Sequence, residues 1–321
     1  MQRSILITGA TGFVGRAVAR GLRRQDRSVR LLLRPSQSIR GLPYPEAEVA
    51  VASLNDSRSL RAALVGIDTV IHLASAEGAQ RRRDLWSADI QGTRNLIEQA
   101  RDAGVRRLMY LSHLAADRNS AFLFLQAKGI VESLLLESGI PSLILRSSVL
   151  FGPEDNFTNV IALLARLIPF VFFLPEDAAL LQPLWVEDLV ACLALSLEQD
   201  SPGNEIISIG GPEHLGFDEI IGLVLEAAGM RRRLVSIWPP YLRLGARVLE
   251  QVLPHSLLTP FWLEYWLVNR TCEANSVARR FGLQPASLRE KAGYLRQGRG
   301  MRQVLAYLWR GRTSLQAGWT G

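Results

Sequence analysis

Thr8-Gly9-Ala10-Thr11-Gly12-Phe13-Val14-Gly15 is the stretch whose reading decides the fold. The apolar triplet Ile5-Leu6-Ile7 runs into it, and Phe13, Val14, Ala17, Val18 and Leu22 follow at the spacing of one helix face. That order is strand, tight turn, helix. Gly9 suits the backbone angles of the turn, Gly12 lets a pyrophosphate approach the main chain, and Gly15 lets the helix lie close on the strand. Free N–H groups and the positive end of the helix dipole then face an anion. A glycine triplet alone says little; a strand before it and a helix after it make this one informative.

Outward from the loop, the pattern alternates. Strands are expected at Ser28–Leu33, Glu48–Val51, Asp68–Ala74, Arg107–Leu111 and from Pro141 to Arg146. Helices are expected at Ser57–Leu64, Arg83–Ala103 and Ala121–Ser138. Strands and helices at this spacing imply a parallel sheet covered on both faces, with ligands beyond the carboxyl ends of the strands. Past Phe151-Gly152-Pro153 the pattern loosens. Helices are expected at Asn156–Ile168, Val186–Glu198 and Phe217–Gly229, with strands at Glu205–Ile209 and Leu234–Ile237. A further helix to about Leu253 and an aromatic segment, Leu257–Val268, come next. The expected division is a nucleotide-binding domain over 1–152 and a smaller lobe over 153–321.

Composition narrows the classes. Of the 321 residues, 48% are hydrophobic and 21% charged, which excludes a disordered chain. The most apolar stretch, Val160 to Pro175, is short and is interrupted by Arg166 and Pro169, so it does not read as a membrane span. Cys192 and Cys272 are the only cysteines and match no metal spacing or disulfide framework, so a reducing cytoplasm is the default. No signal peptide is read at the N-terminus. Only Lys128 and Lys291 are lysines; the other basic residues are arginines. From Arg270 onward nine Arg and one Lys face Glu273 and Glu290, so the +7 of the whole chain sits in this tail.

The residue closing the second strand chooses the nucleotide. A carboxylate there would bind the adenosine ribose and repel a 2′-phosphate, but this chain has Arg34, with Arg16 directly after the glycine loop. Guanidinium groups pair well with phosphate, so NADPH is expected in preference to NADH.

These residues resemble a family. The Thr8–Gly15 loop, His72-Leu73-Ala74, Gly92-Thr93, Leu145-Arg146 with Phe151-Gly152-Pro153, and Gln182 to Leu189 are similar to motifs of the extended and atypical short-chain dehydrogenase/reductases, the epimerase/dehydratase-like and NmrA-like group. Ser112-His113-Leu114, Gly152-Pro153-Glu154-Asp155 and Gly210-Gly211-Pro212-Glu213 point within it to the branch of the NADPH-binding accessory subunit of respiratory complex I. The resemblance implies an α/β Rossmann fold, a doubly wound parallel sheet with a smaller C-terminal lobe. It implies cofactor contacts at Thr8, Gly9, Thr11, Gly12, Phe13, Val14, Gly15, Arg16, Arg34, Ser53, Leu54, Leu73, Ala74, Ser112, Lys128, Ser148 and Val149.

The family's usual catalyst is a Tyr four residues before a Lys, on one helix face. The ammonium lowers the phenol's pKa, and the phenol moves a proton while hydride transfers. Phe124 and Ser287 stand four residues before the two lysines, so no such pair exists. Phe124 occupies the Tyr position, Lys128 can still hold the nicotinamide ribose, and Leu114 stands where a Ser or Thr is usual. Among substitutes, His113 has a pKa suited to acid–base work. Glu187-Asp188 read as helix-capping carboxylates and Glu154-Asp155 as a loop anchor; no metal site is expected. Leu163–Leu174 and Leu257–Val268 carry aromatics that suit an apolar pocket for a quinone or lipid, a membrane surface, a respiratory-complex partner or ordinary core. No reader of specific nucleic acid is visible. Two classes stand open: a non-catalytic or weakly catalytic NADPH-binding, redox-linked protein, cytoplasmic or peripheral at the inner face of the membrane, and an active oxidoreductase or epimerase using a non-standard acid or base.

Overall fold

The computed structural model describes residues 4–35, 47–76, 85–168, 170–175, 179–199, 203–238, 240–241, 244–245 and 267–297. Most of the expected helix to Leu253, nearly all of the aromatic segment and the last part of the basic tail lie outside them.

Seven parallel strands form the central sheet: β1 (Ile5–Thr8), β2 (Val29–Leu33), β3 (Glu48–Val51), β4 (Thr69–His72), β5 (Arg107–His113), β6 (Ser142–Ser147) and β10 (Glu205–Ile209), in the order β10-β6-β5-β4-β1-β2-β3. Between β6 and β10 come the short β7 (Leu150–Phe151), β8 (Val171–Pro175) and β9 (Leu184–Trp185). The direction of winding reverses between β1 and β4, whose register sets Thr8 beside His72. That switch point opens a crevice at the strands' carboxyl ends.

Alternation along the strands divides the core. Leu6, Leu32, Val70, Leu108, Tyr110 and Ile144 gather in one buried cluster with residues of α2 (Ser57–Leu64), α3 (Gly92–Asp102) and α4 (Leu123–Leu136). The opposite parity, including Ile7, Leu31, Ile71, Met109 and Leu145, is also buried. On that side lie α1 (Phe13–Arg23) and α6 (Val186–Glu198), which pack so closely that a Cβ at Gly21 would come 2.2 Å from Val190 Cγ1. Strands buried on both faces read as continuous apolar runs, which is why the short β1 was legible.

The chain divides into two compact units. The first holds Met1–Ser147, then Val186–Ile209 and Arg279–Leu283; the second holds Ser148–Trp185, Gly210–Ala278 and Gln284–Gly321. The first run of unit one ends at Ser147, and α6 and β10 return to that unit after Trp185. The seventh strand, expected at Glu205–Ile209 ahead of Gly210-Gly211-Pro212, pairs in parallel with β6, Glu205 beside Leu143.

In the second unit, α5 (Thr158–Leu167) begins at a loop anchored by buried Asp155. Its carboxylate accepts from the Gly152 N–H (2.8 Å), the Phe157 N–H (2.7 Å) and the Thr158 and Tyr294 hydroxyls (2.6 and 3.1 Å). Burial pushes its pKa up against those bonds. The expected Glu154-Asp155 anchor is thus a set of specific bonds to Asp155. The unit also holds α7 (Phe217–Ala227), β11 (Arg233–Ile237), α8 (Ser276–Phe281, shared with unit one) and α9 (Leu288–Lys291). The strand β8 lies in the apolar stretch that was read only as helix and loop, because its pairing with β11 is non-local.

Candidate nucleotide site

The glycine loop performs three separate steric tasks. Gly9 has φ +71°, and a Cβ there would lie 2.6 Å from Ala74 N, so the turn after β1 abuts the end of β4. At Gly15 a Cβ would lie 2.2 Å from Gly9 O and 2.7 Å from Ala10 Cα, so the helix rests on the turn itself. A Cβ on Gly12 would meet only Gly9 O, at 3.3 Å. Gly12 therefore borders open space. It is also the N-cap of α1, with no side-chain cap and no acid in the first turn. The leading N–H groups of α1 are thus left for an outside acceptor, and an eleven-residue helix offers its dipole to an anion there. The Arg16 guanidinium donates to the Thr11 carbonyl and stiffens the loop. Arg34 is exposed just past β2.

Beyond β3, Ser53 and Leu54 are half-buried. Asn95 of α3 donates to the Leu54 carbonyl (2.6 Å), and Gly92 makes room for the Leu54 side chain, 3.0 Å from where a Cβ would stand. The residues after β1, β2, β3 and β4 that the sequence singled out therefore line the carboxyl edge of one sheet.

A buried hydrogen-bond chain crosses beneath them. The Ala74 N–H donates to Thr8 Oγ1 (3.2 Å), which lies 2.7 Å from His72 Nδ1; His72 Nε2 lies 2.9 Å from Thr93 Oγ1, and Thr93 donates to the Asp89 carbonyl. Because Thr93 spends its proton on Asp89, its oxygen accepts from Nε2–H, and bare Nδ1 accepts from Thr8. The imidazole is neutral: burial, then the charge of Lys128, lowers its pKa to about 3. His72 is thus a strut between β1 and α3. Sequence pattern missed Asp89. It lies in Trp86–Gln91, a π-helical turn where a continuous α-helix was expected. Its buried carboxylate accepts from the Ser75 hydroxyl (2.8 Å) and the Ala76 N–H (2.6 Å), and desolvation raises its pKa against the opposing pull of Lys128. A residue four before the noted Thr93 was the available signal.

At the end of β5 and on α4 the expected catalytic positions do come together. Phe124 is buried, with its ring edge-on to His113 at 5.0 Å between centroids. Lys128 is buried too; its ammonium donates to the Leu111 carbonyl (3.3 Å) and lies 5.5 Å from the Phe124 ring centre and 4.9 Å from that of Tyr110. Tyr110, a residue of β5, thus faces Lys128 with its ring and stacks on His72 at 5.5 Å. The Lys128 ammonium thus makes cation–π contacts with both rings. The Ser112 hydroxyl is fully buried with no hydrogen-bond partner among the described residues, a donor left for a bound group. Leu114 is buried, its N–H taken by the Ser147 carbonyl (2.9 Å). The turn from His113 to Ala116 places Ala115 at φ +66°, a strained angle for a residue with a Cβ. Ser148 and Val149 belong to the second unit, where the Ser148 hydroxyl donates to the Arg270 carbonyl (2.8 Å).

Among the described residues no three His, Cys, Asp or Glu side chains gather as metal ligands, and no helix is long and apolar enough to cross a membrane. Burial pushes the Cys192 thiol up to about 12. A phosphate-cradling loop, an open helix terminus and an orphaned buried hydroxyl fit a dinucleotide.

Comparison with known proteins agrees with that geometry. Residues 9–163 match the NAD(P)H-binding family. Sterol demethylase protein B of Methylococcus capsulatus is 26% identical over 279 residues, covering 77% of this chain and 81% of that protein. Ceramide reductase of Caulobacter vibrioides is 28% identical, covering 74% of each. Subunit 9 of the NADH dehydrogenase [ubiquinone] 1 alpha subcomplex of Arabidopsis thaliana is 24% identical, covering 74% of this chain and 59% of that one. The solved UDP-glucose 4-epimerase of Thermotoga maritima shares the fold, with a TM-score of 0.72 at 18% identity over 94% of this chain and 99% of the other. Residues 9–163 of this chain thus form a domain of the NAD(P)H-binding family, on a Rossmann-like sheet shared with epimerases and with relatives among the reductases and the complex I accessory subunits.

Proposed function

We propose that the chain holds NADPH without the usual Tyr–Lys proton relay, as a non-catalytic or weakly catalytic redox-linked protein associated with a respiratory or membrane complex. The N–H groups opening α1 would take the pyrophosphate, with Gly12 letting it approach. Arg34 and Arg16 would meet the 2′-phosphate that distinguishes NADPH. Ser53 and Leu54 would border the adenosine end, Leu73 and Ala74 the turn beside Gly9, and Ser112 and Lys128 the nicotinamide end. The bound nicotinamide would supply a hydride.

One observation carries the reading: Phe124, buried and edge-on to His113, stands a helical turn before Lys128 where a proton donor is needed. Hydride delivered to a carbonyl leaves an alkoxide that must gain a proton, and a phenyl ring has none to give. The ammonium of Lys128 donates to the Leu111 carbonyl and lies over two aromatic rings, and with no phenol four residues before it, its role would be to hold a ribose hydroxyl.

A second reading, an active reductase on a lipid or other apolar molecule, is favoured by the relatives named ceramide reductase and sterol demethylase protein B. His113 would then be the acid. The test is NADPH oxidation with quinones and long-chain carbonyl compounds, for the wild type and Phe124→Tyr. The expected result is tight NADPH binding by both proteins, background turnover by the wild type, and a gain of about 10²-fold or more in the variant. Enzyme-like turnover by the wild type, abolished in His113→Gln, would refute the first reading in favour of the second.

A further inference from the structure

The second unit turns an apolar ribbon to solvent. β8 and β11 pair in parallel as a two-stranded sheet, Val171 beside Arg233 and Phe173 beside Val235. One face of β8 is covered, since Phe172 and Leu174 are buried. The other face shows Phe173, 44% exposed, beside half-buried Val235 and Ile237. Phe170, 80% exposed, stands at the amino end, where its carbonyl takes the Arg233 N–H. Trp238 and Tyr241, 58% and 66% exposed, stand beyond the carboxyl end with their rings edge-to-face at 5.9 Å. Arg231 and Arg233 are exposed beside Phe170, and neither takes a carboxylate partner among the described residues.

We propose that this face of the β8–β11 ribbon docks on a bilayer carrying anionic lipid. Trp and Tyr settle at the boundary of headgroups and acyl chains, because their rings are apolar and their tips polar. Phe170 and Phe173 would enter the acyl boundary, while the longer Arg231 and Arg233 side chains would reach back to the lipid phosphates. Exposed aromatic side chains at both ends of the ribbon, flanking Phe173 on its open face, with arginines at one end that take no carboxylate partner among the described residues, match an interface of lipid headgroups and acyl chains better than they match a uniformly apolar protein patch. The inference rests on the membrane-side reading above and names the surface that would serve it.

The test is flotation of the full chain with vesicles of phosphatidylcholine alone and of phosphatidylcholine with about one-third phosphatidylglycerol. The wild type should float with the anionic vesicles. Phe170→Ser combined with Trp238→Ser should weaken binding by about tenfold or more, since buried apolar area sets its strength. Arg231→Gln combined with Arg233→Gln should remove the preference for anionic lipid and most of its salt dependence. An unbound wild type, or aromatic variants floating like the wild type, would overturn the proposal; the second result would move the contact to the basic tail. A thermal shift by NADPH, measured on the same samples, reports folding and keeps the nucleotide reading separate: its absence in the wild type sinks that reading whatever the vesicles show.

Discussion

Gly12→Ala and Gly15→Ala add the same methyl group three residues apart, and the loop geometry gives them opposite consequences. At Gly15 the methyl would stand 2.2 Å from Gly9 O and 2.7 Å from Ala10 Cα, both backbone atoms. Relief requires the start of α1 to move about 1 Å off the turn, and overpacking of this kind costs roughly 1–3 kcal/mol. At Gly12 the one neighbour is Gly9 O at 3.3 Å, and φ −74° suits alanine. The folded protein then loses only the N-cap preference for glycine over alanine, about 0.5–1 kcal/mol. The methyl does, however, occupy the space through which a pyrophosphate would reach the N–H groups, where bonds need about 2.9 Å. Losing one such charge-assisted contact pattern, at about 2.7 kcal/mol, weakens binding about 100-fold. The assay is thermal unfolding with NADPH held at about 100 times the wild-type Kd, where the ligand adds about 2.7 kcal/mol. Gly12→Ala would then sit near its own Kd and gain only about 0.4 kcal/mol, with an apo Tm close to wild type. Gly15→Ala should lower the apo Tm by several degrees. If Gly12→Ala keeps the full NADPH shift, the loop does not cradle the pyrophosphate, and the nucleotide site has been drawn in the wrong place.

Two other predictions follow from the geometry. His72 titrates near 3 when folded against about 6.5 when unfolded, so between those values the unfolded chain binds the extra proton and stability falls as pH drops. His72→Gln should be the less stable protein at pH 7, yet the gap should narrow by about 1.4 kcal/mol per pH unit below about 6.5; equal slopes in urea titrations would show the imidazole is not held neutral. Arg34→Glu, an exposed change past β2, should leave Tm unaltered and shift preference from NADPH toward NADH by roughly tenfold or more in calorimetric titration; an unchanged ratio would assign the 2′-phosphate to another group.

Much of this site is legible in one sequence because its information is local. A strand opened by three apolar residues, the three loop glycines and a helix face lie within Ile5–Arg23, and each loop glycine's task follows from the distances that a turn and a helix start impose. The absence of a Tyr four residues before either lysine is likewise a matter of spacing. Less was visible where meaning depended on partners far along the chain. Tyr110 reads as a β residue until α4 brings the Lys128 ammonium over its ring. Asp89 reads as one more polar helix position until a π turn aims it at Ser75 and Ala76. Strand β8 hides in an apolar run because only β11, some sixty residues later, makes it a strand.

By itself the sequence determined the parallel α/β sheet, the glycine loop between β1 and α1, the arginine after β2 and the absence of a Tyr four residues before either lysine, since period and spacing fix these within a few turns of chain. Tertiary structure alone decided that α6 and β10 rejoin the first unit, with Val190 seated on Gly21. It also decided that His72 is a neutral strut between Thr8 and Thr93, and that Lys128 lies among aromatic rings. The physical reason is the same in each case. Burial and close approach between segments distant in sequence set protonation and packing, and no local pattern encodes which segments will meet.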